Sequence, residues 1–339
     1  MTGKLKLYRR ALGALVLLLT IVTPLGAQSD PAIERGRALN DLLLSGATDS
    51  VFTLLSDELR AAVGGKDGLA QFSRTVNGGL GEETAIVEEA IYSIGPWTQY
   101  YRISRFSGLP DQTVTASWAW ATDGEVTSMT IRPTPEPAAT DYADYQTKAA
   151  LQLPFKGEWY VFWGGRTPHQ NYHVVAPDQR FAYDLLIVRN GGTHKGDGKQ
   201  NTDYYCFGQP ILAPAAGRVV TAVDSLPDNL PGVMNPAAPA GNHVIIDHGD
   251  DEFSLLGHLQ SGSVTVEVGD TVESGETLGM CGNSGNSSEP HLHHHLQTEG
   301  SFGEGVGLPV YFNGYWADGE YVERGEPVRG QAIRPGSPH

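Results

Sequence analysis

The stretch Pro133-Thr134-Pro135-Glu136-Pro137-Ala138-Ala139-Thr140 most constrains what this chain can fold into. Its prolines fix φ and remove backbone N–H donors, so neither a helix nor the interior of a sheet can run through it. It is read as part of a linker, residues 133–150, between two folded units. A chain of 339 residues has the length for two.

Before the linker, residues 30 to about 64 read as helix. Apolar side chains recur at helical spacing from Ala32 to Leu44, and Thr48-Asp49-Ser50 offers caps before Val51-Phe52-Thr53-Leu54-Leu55. From about residue 84 the texture changes. Ala85–Ile94, Thr98–Phe106 and Thr113–Ala121 are rich in β-branched and aromatic residues, and Asp123-Gly124 marks a turn before Val126–Ile131. Helices followed by an antiparallel meander make residues 30–132 an α+β unit. No cluster of titratable residues stands out in it. In element order and texture, including Gly46-Ala47-Thr48-Asp49-Ser50-Val51-Phe52, the unit resembles the SnoaL-like, cone-shaped α+β domains. That resemblance implies an accessory binding or spacer role.

After the linker come Leu151–Phe155 and Glu158–Trp163, then many short apolar runs punctuated by glycine. Residues 151–315 therefore read as an all-β unit, an antiparallel sandwich or roll, with Pro309–Tyr315 as its closing strand. Residues 316–339 read as a C-terminal tail, disordered at its end.

Charge and the N-terminus narrow the function classes. The formal net charge of −16 argues against nucleic-acid binding, which needs a basic face to neutralise phosphates. Lys4, Lys6, Arg9 and Arg10 precede an apolar run of about 12 residues, Ala11 to Val22, and then Pro24-Leu25-Gly26-Ala27. This is the layout of a secretory signal peptide, residues 1–27, and is shorter than the roughly 20 residues of a membrane span. The expected product is secreted or periplasmic, with no stable membrane insertion after cleavage. In such a compartment Cys206 and Cys281 either pair or remain free thiols; their spacing does not decide between the two.

The chemistry concentrates at Glu289-Pro290-His291-Leu292-His293-His294-His295. On a strand, alternate residues share a face, so His291, His293 and His295 project together. Imidazoles so placed suit a zinc site, with one ring as ligand and another as proton carrier. The blocks upstream are Phe207-Gly208-Gln209-Pro210-Ile211-Leu212-Ala213-Pro214, Asn242-His243-Val244-Ile245-Ile246-Asp247-His248-Gly249, Leu255-Leu256-Gly257-His258-Leu259, and Val268-Gly269-Asp270-Thr271 through Gly282-Asn283-Ser284-Gly285. In this order, over roughly 170–298, they resemble the LytM/lysostaphin-type zinc endopeptidases. The resemblance implies Zn2+ as cofactor, Asp184 and His293 as metal ligands, and His258 and His291 as catalytic histidines. It implies a structural role for His248. His294 and His295 stand where the family usually has an aromatic and an acidic residue; His295 joins the pocket edge or ends the strand in solvent.

One position departs from the family. Its first ligand precedes the aspartate by four residues, as in HxxxD, and here that residue is Arg180, which cannot ligate zinc. On a strand it would share the face of Asp184 and could meet a substrate carboxylate. His173, ahead of the turn-like Ala176-Pro177-Asp178-Gln179, is the expected replacement; His169 and His194 are the other candidates.

With three protein ligands, an open zinc position would take water. His291 would then assist its deprotonation, and His258 would serve the oxyanion or the leaving amine. The resemblance implies peptide bonds of peptidoglycan, in crosslinks or stem peptides, as substrate, with loops 191–203 and 225–240 shaping the groove. A metal-free module that binds cell-wall peptide or regulates a partner hydrolase is the competing reading.

Overall fold

The computed structural model describes residues 30–338, so the expected signal peptide lies outside the described residues. Helix α1 (Pro31–Leu44) starts where the Asp30 carboxylate accepts a hydrogen bond from the Ala32 amide at 2.8 Å, with proline at its first position. Helices α2 (Thr48–Leu54) and α3 (Asp57–Ala62) follow; Ser56 caps α3 through the Leu59 amide at 3.2 Å. A fourth helix, α4 (Gly65–Leu80), is not evident in the sequence because Gly65, Gly68, Gly78 and Gly79 lower its intrinsic helical preference.

Strands β1 (Glu83–Ile94), β2 (Trp97–Phe106), β3 (Leu109–Trp120) and β4 (Val126–Pro133) form an antiparallel meander in sequence order. Helices and sheet bury Leu39, Leu43, Leu69, Tyr100 and Trp118 between them. Burial of such side chains contributes about 1.5–3 kcal/mol each. Gly36 lets α1 lie on the sheet: a Cβ there would sit 2.2 Å from the Tyr100 ring.

The second unit is built on one long antiparallel sheet. Its strands are β5 (Trp159–Trp163), β6 (Tyr183–Leu186), β7 (Pro210–Leu212), β8 (Gly217–Val223), β9 (Asn242–Asp247), β10 (Phe253–Leu259), β11 (Thr271–Val272), β12 (Thr277–Met280), β13 (Leu292–Gln297), β14 (Gly307–Leu308), β15 (Phe312–Ala317), β16 (Glu320–Gly325) and β17 (Ala332–Pro335). The main order is β11-β8-β9-β10-β13-β6-β5-β17-β15-β16, β14 pairs with β13, and β7 and β12 form a separate ribbon. Leu153, Phe155, Val161, Leu185, Leu256, Leu292 and Phe312 lie in its core.

Two boundaries differ from the sequence reading. Residues 316–339 are not a free tail: β16 and β17 belong to the sheet, and β17 pairs with β5. The 133–150 segment is no loose spacer either. The Glu252 carboxylate, 1% exposed, accepts from Tyr145 Oη at 2.8 Å and from the amides of Lys148 and Ala149 at 2.6 and 2.7 Å. A buried carboxylate needs such donors, and these tie the segment to the start of β10.

The two units meet through Arg329, 7% exposed, which donates to Tyr101 Oη at 3.1 Å, Gln99 Oε1 at 3.0 Å and His169 O at 2.6 Å. Its guanidinium carbon lies 4.0 Å from the Trp163 ring centroid and 4.2 Å from that of Tyr92. Cys206 and Cys281 are buried free thiols. Among the described residues no helix is long and apolar enough to cross a membrane.

Candidate metal centre

Strand pairing assembles the site. His293 on β13 lies directly opposite Asp184 on β6 and, on its other side, opposite Gly257 on β10. Because Gly257 pairs with His293, His258 on a regular β10 would face the opposite side of the sheet from His293. Instead the β9–β10 register shifts between Leu256 and Leu259, and His258 takes a φ of +59°, uncommon for a residue with a Cβ. The bonds His258 N→Ala240 O at 2.9 Å and Gly282 N→His258 O at 3.1 Å hold it there. Gly282 is required at that approach, since its Cβ would stand 2.2 Å from the Gln260 amide nitrogen. The bulge turns the His258 ring to within 4.7 Å of His291 and 5.7 Å of His293, centroid to centroid.

His173 enters from the opposite rim on a 3-10 turn, Tyr172–Val175. Ligand atoms of His173, Asp184 and His293 all lie within 4.8 Å of one another, and all three residues are buried. His293 Nδ1 is 2.9 Å from Asp184 Oδ1, His291 Nε2 is 3.6 Å from the same oxygen, and His173 Nε2 is 3.7 Å from Oδ2. Two imidazoles and a carboxylate are a donor set that zinc accepts, and three protein donors leave a coordination position open. The chemistry of the residues fits the group. A cleft of about 170 Å³ opens over His173, His258 and His293, bounded by Tyr172, Pro239, Ala240, Asn286 and Phe302.

The electrostatics follow from burial around one anion. Burial opposes the charge on Asp184, but the rings of His173 and His291 and the bond from His293 hold its carboxyl well below the usual range. Burial also disfavours a charged His291; the Asp184 carboxylate overrides it and raises the ring to about 9. His258 goes the other way, held well below its ordinary value by burial and by the neighbouring His291 and His293 rings. Its Nδ1 donates to Ser284 O at 2.8 Å, leaving Nε2 bare; His291 Nδ1 donates to Glu289 O at 2.8 Å.

The other candidates lie elsewhere. His169 sits at the junction of the units, against Tyr92 Oη at 2.8 Å and Glu88 at 2.9 Å. His194 packs on Tyr204 with ring centroids 5.1 Å apart and, with Thr193, borders a second cavity of about 550 Å³ shared with Tyr92, Trp97 and Arg329. Arg180 is not on β6 and does not face the cleft; it stacks near Phe181 and donates to Ala138 O of the linker segment. His248 holds Ala216 O and Ser254 Oγ, each at 2.9 Å. His294 turns to the other face of the sheet, 5.5 Å from the Phe312 ring.

His295 does not end in solvent. It is 1% exposed, because β13 lies between β10 and β6, and its Nδ1 meets His293 Nε2 at 2.9 Å. Two residues of this surround, Asn171 beneath His173 and Gln297 beyond His295, were not singled out in the sequence. For Gln297 a signal existed: it continues the alternation 291, 293, 295. For Asn171, an amide in a loop, none did.

Residues 198–303 match the family model described as Peptidase family M23. The match lies in the C-terminal unit and lends nothing to a SnoaL-like reading of the N-terminal one. It contains His258, His291 and His293 but begins downstream of His173 and Asp184. An "Uncharacterized metalloprotease" of Haemophilus influenzae is 33% identical over 93 residues, 27% of this chain and 17% of that protein. "Peptidoglycan DD-endopeptidase ShyA" of Vibrio cholerae is 38% identical over 61 residues, 18% of this chain and 14% of that protein. The matches thus span under a fifth of either relative. The catalytic domain of lysostaphin from Staphylococcus simulans aligns at 20% identity and a TM-score of 0.28, covering 45% of this chain and 88% of that domain.

Proposed function

With a peptidase family M23 domain in its C-terminal unit as the premise, we propose that this protein is an exported zinc endopeptidase acting on peptide bonds of bacterial peptidoglycan. One observation carries the reading: His173, Asp184 and His293 converge beside two further histidines that are not needed as ligands. His173 supplies the ligand that Arg180 cannot. Zinc held by the three would polarise the scissile carbonyl and provide a nucleophile at neutral pH.

The chain's own groups do the rest. Buried Asp184, His173 and His293 orient their donors before any ligand arrives, so little reorganisation accompanies binding. His291 is anchored through Nδ1 to the Glu289 carbonyl; once the Asp184 charge that keeps its ring protonated is committed to a bound metal, its Nε2 would be free to take the proton of the attacking water. His258 presents Nε2 across the cleft, where a proton acquired there reaches the oxyanion or the leaving amine. Tyr172, Pro239 and Phe302 border the cleft.

The substrate class is supported by the similarity to a protein named as a peptidoglycan endopeptidase, and export by the signal-peptide-like N-terminus. Purified protein, wild type and His258→Ala, would be measured for zinc content and for release of soluble peptides from isolated sacculi. The expected outcome is one zinc per chain in both and hydrolysis by wild type alone. A wild type without zinc and without hydrolysis would sink the reading in favour of a binding or regulatory module.

A further inference from the structure

Each proposed histidine ligand rests on a side-chain amide that has no freedom in its orientation. Gln297, fully buried, donates through Nε2 to two main-chain oxygens, Glu299 O at 2.6 Å and Ser301 O at 2.9 Å. Its Oε1 faces His295 Nε2 at 2.9 Å. Turning the amide over would press Oε1 against both carbonyls, so the assignment follows from chemistry. An amide oxygen only accepts, and His295 Nε2 must therefore carry the hydrogen. His295 Nδ1 is then bare and accepts from His293 Nε2 at 2.9 Å. The chain of donors ends with His293 Nδ1 turned towards Asp184.

The same logic operates across the cleft. Asn171, also fully buried, donates through Nδ2 to Gly165 O at 3.2 Å and Ala182 O at 2.9 Å. Its Oδ1 accepts from the His173 amide at 3.1 Å and from His173 Nδ1 at 2.9 Å. His173 is thereby left with Nε2 towards Asp184 Oδ2, at 3.7 Å.

We propose that Asn171 and Gln297 are positioning residues, which fix the ring proton of His173 to Nδ1 and, relayed through His295, that of His293 to Nε2. Only the two nitrogens facing Asp184 are left free to take a metal ion. Groups that orient a ligand histidine through its far nitrogen typically change metal affinity about 10–100-fold when removed.

The test has two arms, of which only the second rests on the zinc reading. Long-range 15N–1H spectra of the metal-free and zinc-titrated wild type would assign each ring proton. We expect hydrogen on His293 Nε2 and His173 Nδ1 in both states; a bare His293 Nε2 or His173 Nδ1 overturns the proposal. Chelator competition would then compare wild type with Gln297→Leu and Gln297→Glu. Leucine should weaken zinc binding about 10–100-fold; glutamate keeps the acceptor for His295 but turns its second oxygen on Glu299 O and Ser301 O, so it should recover only part of that loss. A folded Gln297→Leu protein that binds zinc within twofold of wild type also overturns it. Should leucine unfold the protein, the wild-type spectra decide. If the wild type took up no zinc while its ring protons sat as expected, the metal reading would fail and the positioning network would stand.

Discussion

Replacing His173 by alanine tests the departure from the family pattern most directly. The ring is buried, and its Nε2 is one of the three donors around the proposed metal position. Structural zinc sites with four ligands bind with about 10–16 kcal/mol, so one ligand is worth roughly 3 kcal/mol. At about 1.4 kcal/mol per factor of ten, His173→Ala should weaken zinc binding by roughly a hundredfold. The same number appears in unfolding. At free zinc of about 100 times the wild-type Kd, wild type gains about 2.7 kcal/mol over its metal-free form, and the variant, near half-saturation, about 0.4 kcal/mol. Chelator competition gives the first figure and denaturant unfolding with and without zinc the second. Arg180→Ala is the matched control: its guanidinium is bound to Ala138 O and takes no part in the cleft, so zinc binding should be unchanged. Equal zinc affinity in His173→Ala and wild type, or a loss in Arg180→Ala instead, would refute the assignment.

Glu252→Ala removes the acceptor for Tyr145 Oη and two buried amides. It should destabilise the C-terminal unit by about 3–5 kcal/mol, read by denaturant unfolding, since bonds to a charge are worth about 1.5–3 kcal/mol each and do not add fully. Arg329→Ala breaks the bonds to Tyr101, Gln99 and His169. It should split a joint calorimetric transition into two, and Arg329→Lys should not rescue it because lysine lacks the planar fork. Stability should also fall with acid. Burial lowers the ring pKa of His169, His243 and His248, so the unfolded chain takes up protons first as pH drops through its value of about 6.5. Each such histidine then costs up to about 1.4 kcal/mol per pH unit, measured as denaturant midpoints from pH 8 to 5; midpoints that rise with acid would contradict this.

What was legible in the sequence was local. The N-terminal strands could be read because β-branched and aromatic runs alternate between turn signals, and the histidine pair because period-two spacing puts two rings on one face of β13. α4 was not, since Asn77, Gly78 and Gly79 near its end are poor helix formers, held by packing and by Asn77 Nδ2 on Leu44 O at 2.8 Å. The burial of His295 was hidden because it depends on which strands flank β13, a long-range fact. Arg180 misled for a related reason: spacing to Asp184 implies a shared strand face only if the strand reaches back that far, and β6 begins at Tyr183. His173 could be named as a candidate, but its approach to Asp184 depends on the turn between them.

The return of β17 to β5 has a colloidal consequence. β16, at one end of the sheet order, carries Glu320, Glu323 and Arg324, charges that discourage another chain from adding to that edge. Behind it, β5 reads Trp-Tyr-Val-Phe-Trp, with Trp159 and Val161 buried. Cutting the chain after residue 315 would remove β16 and β17 and bare one side of β5. An uncharged, aromatic, unpaired strand is a template for self-association. A protein so shortened should be recovered as aggregate even though every histidine of the cleft is still encoded, and the last strands are then best regarded as what keeps the folded molecule in solution.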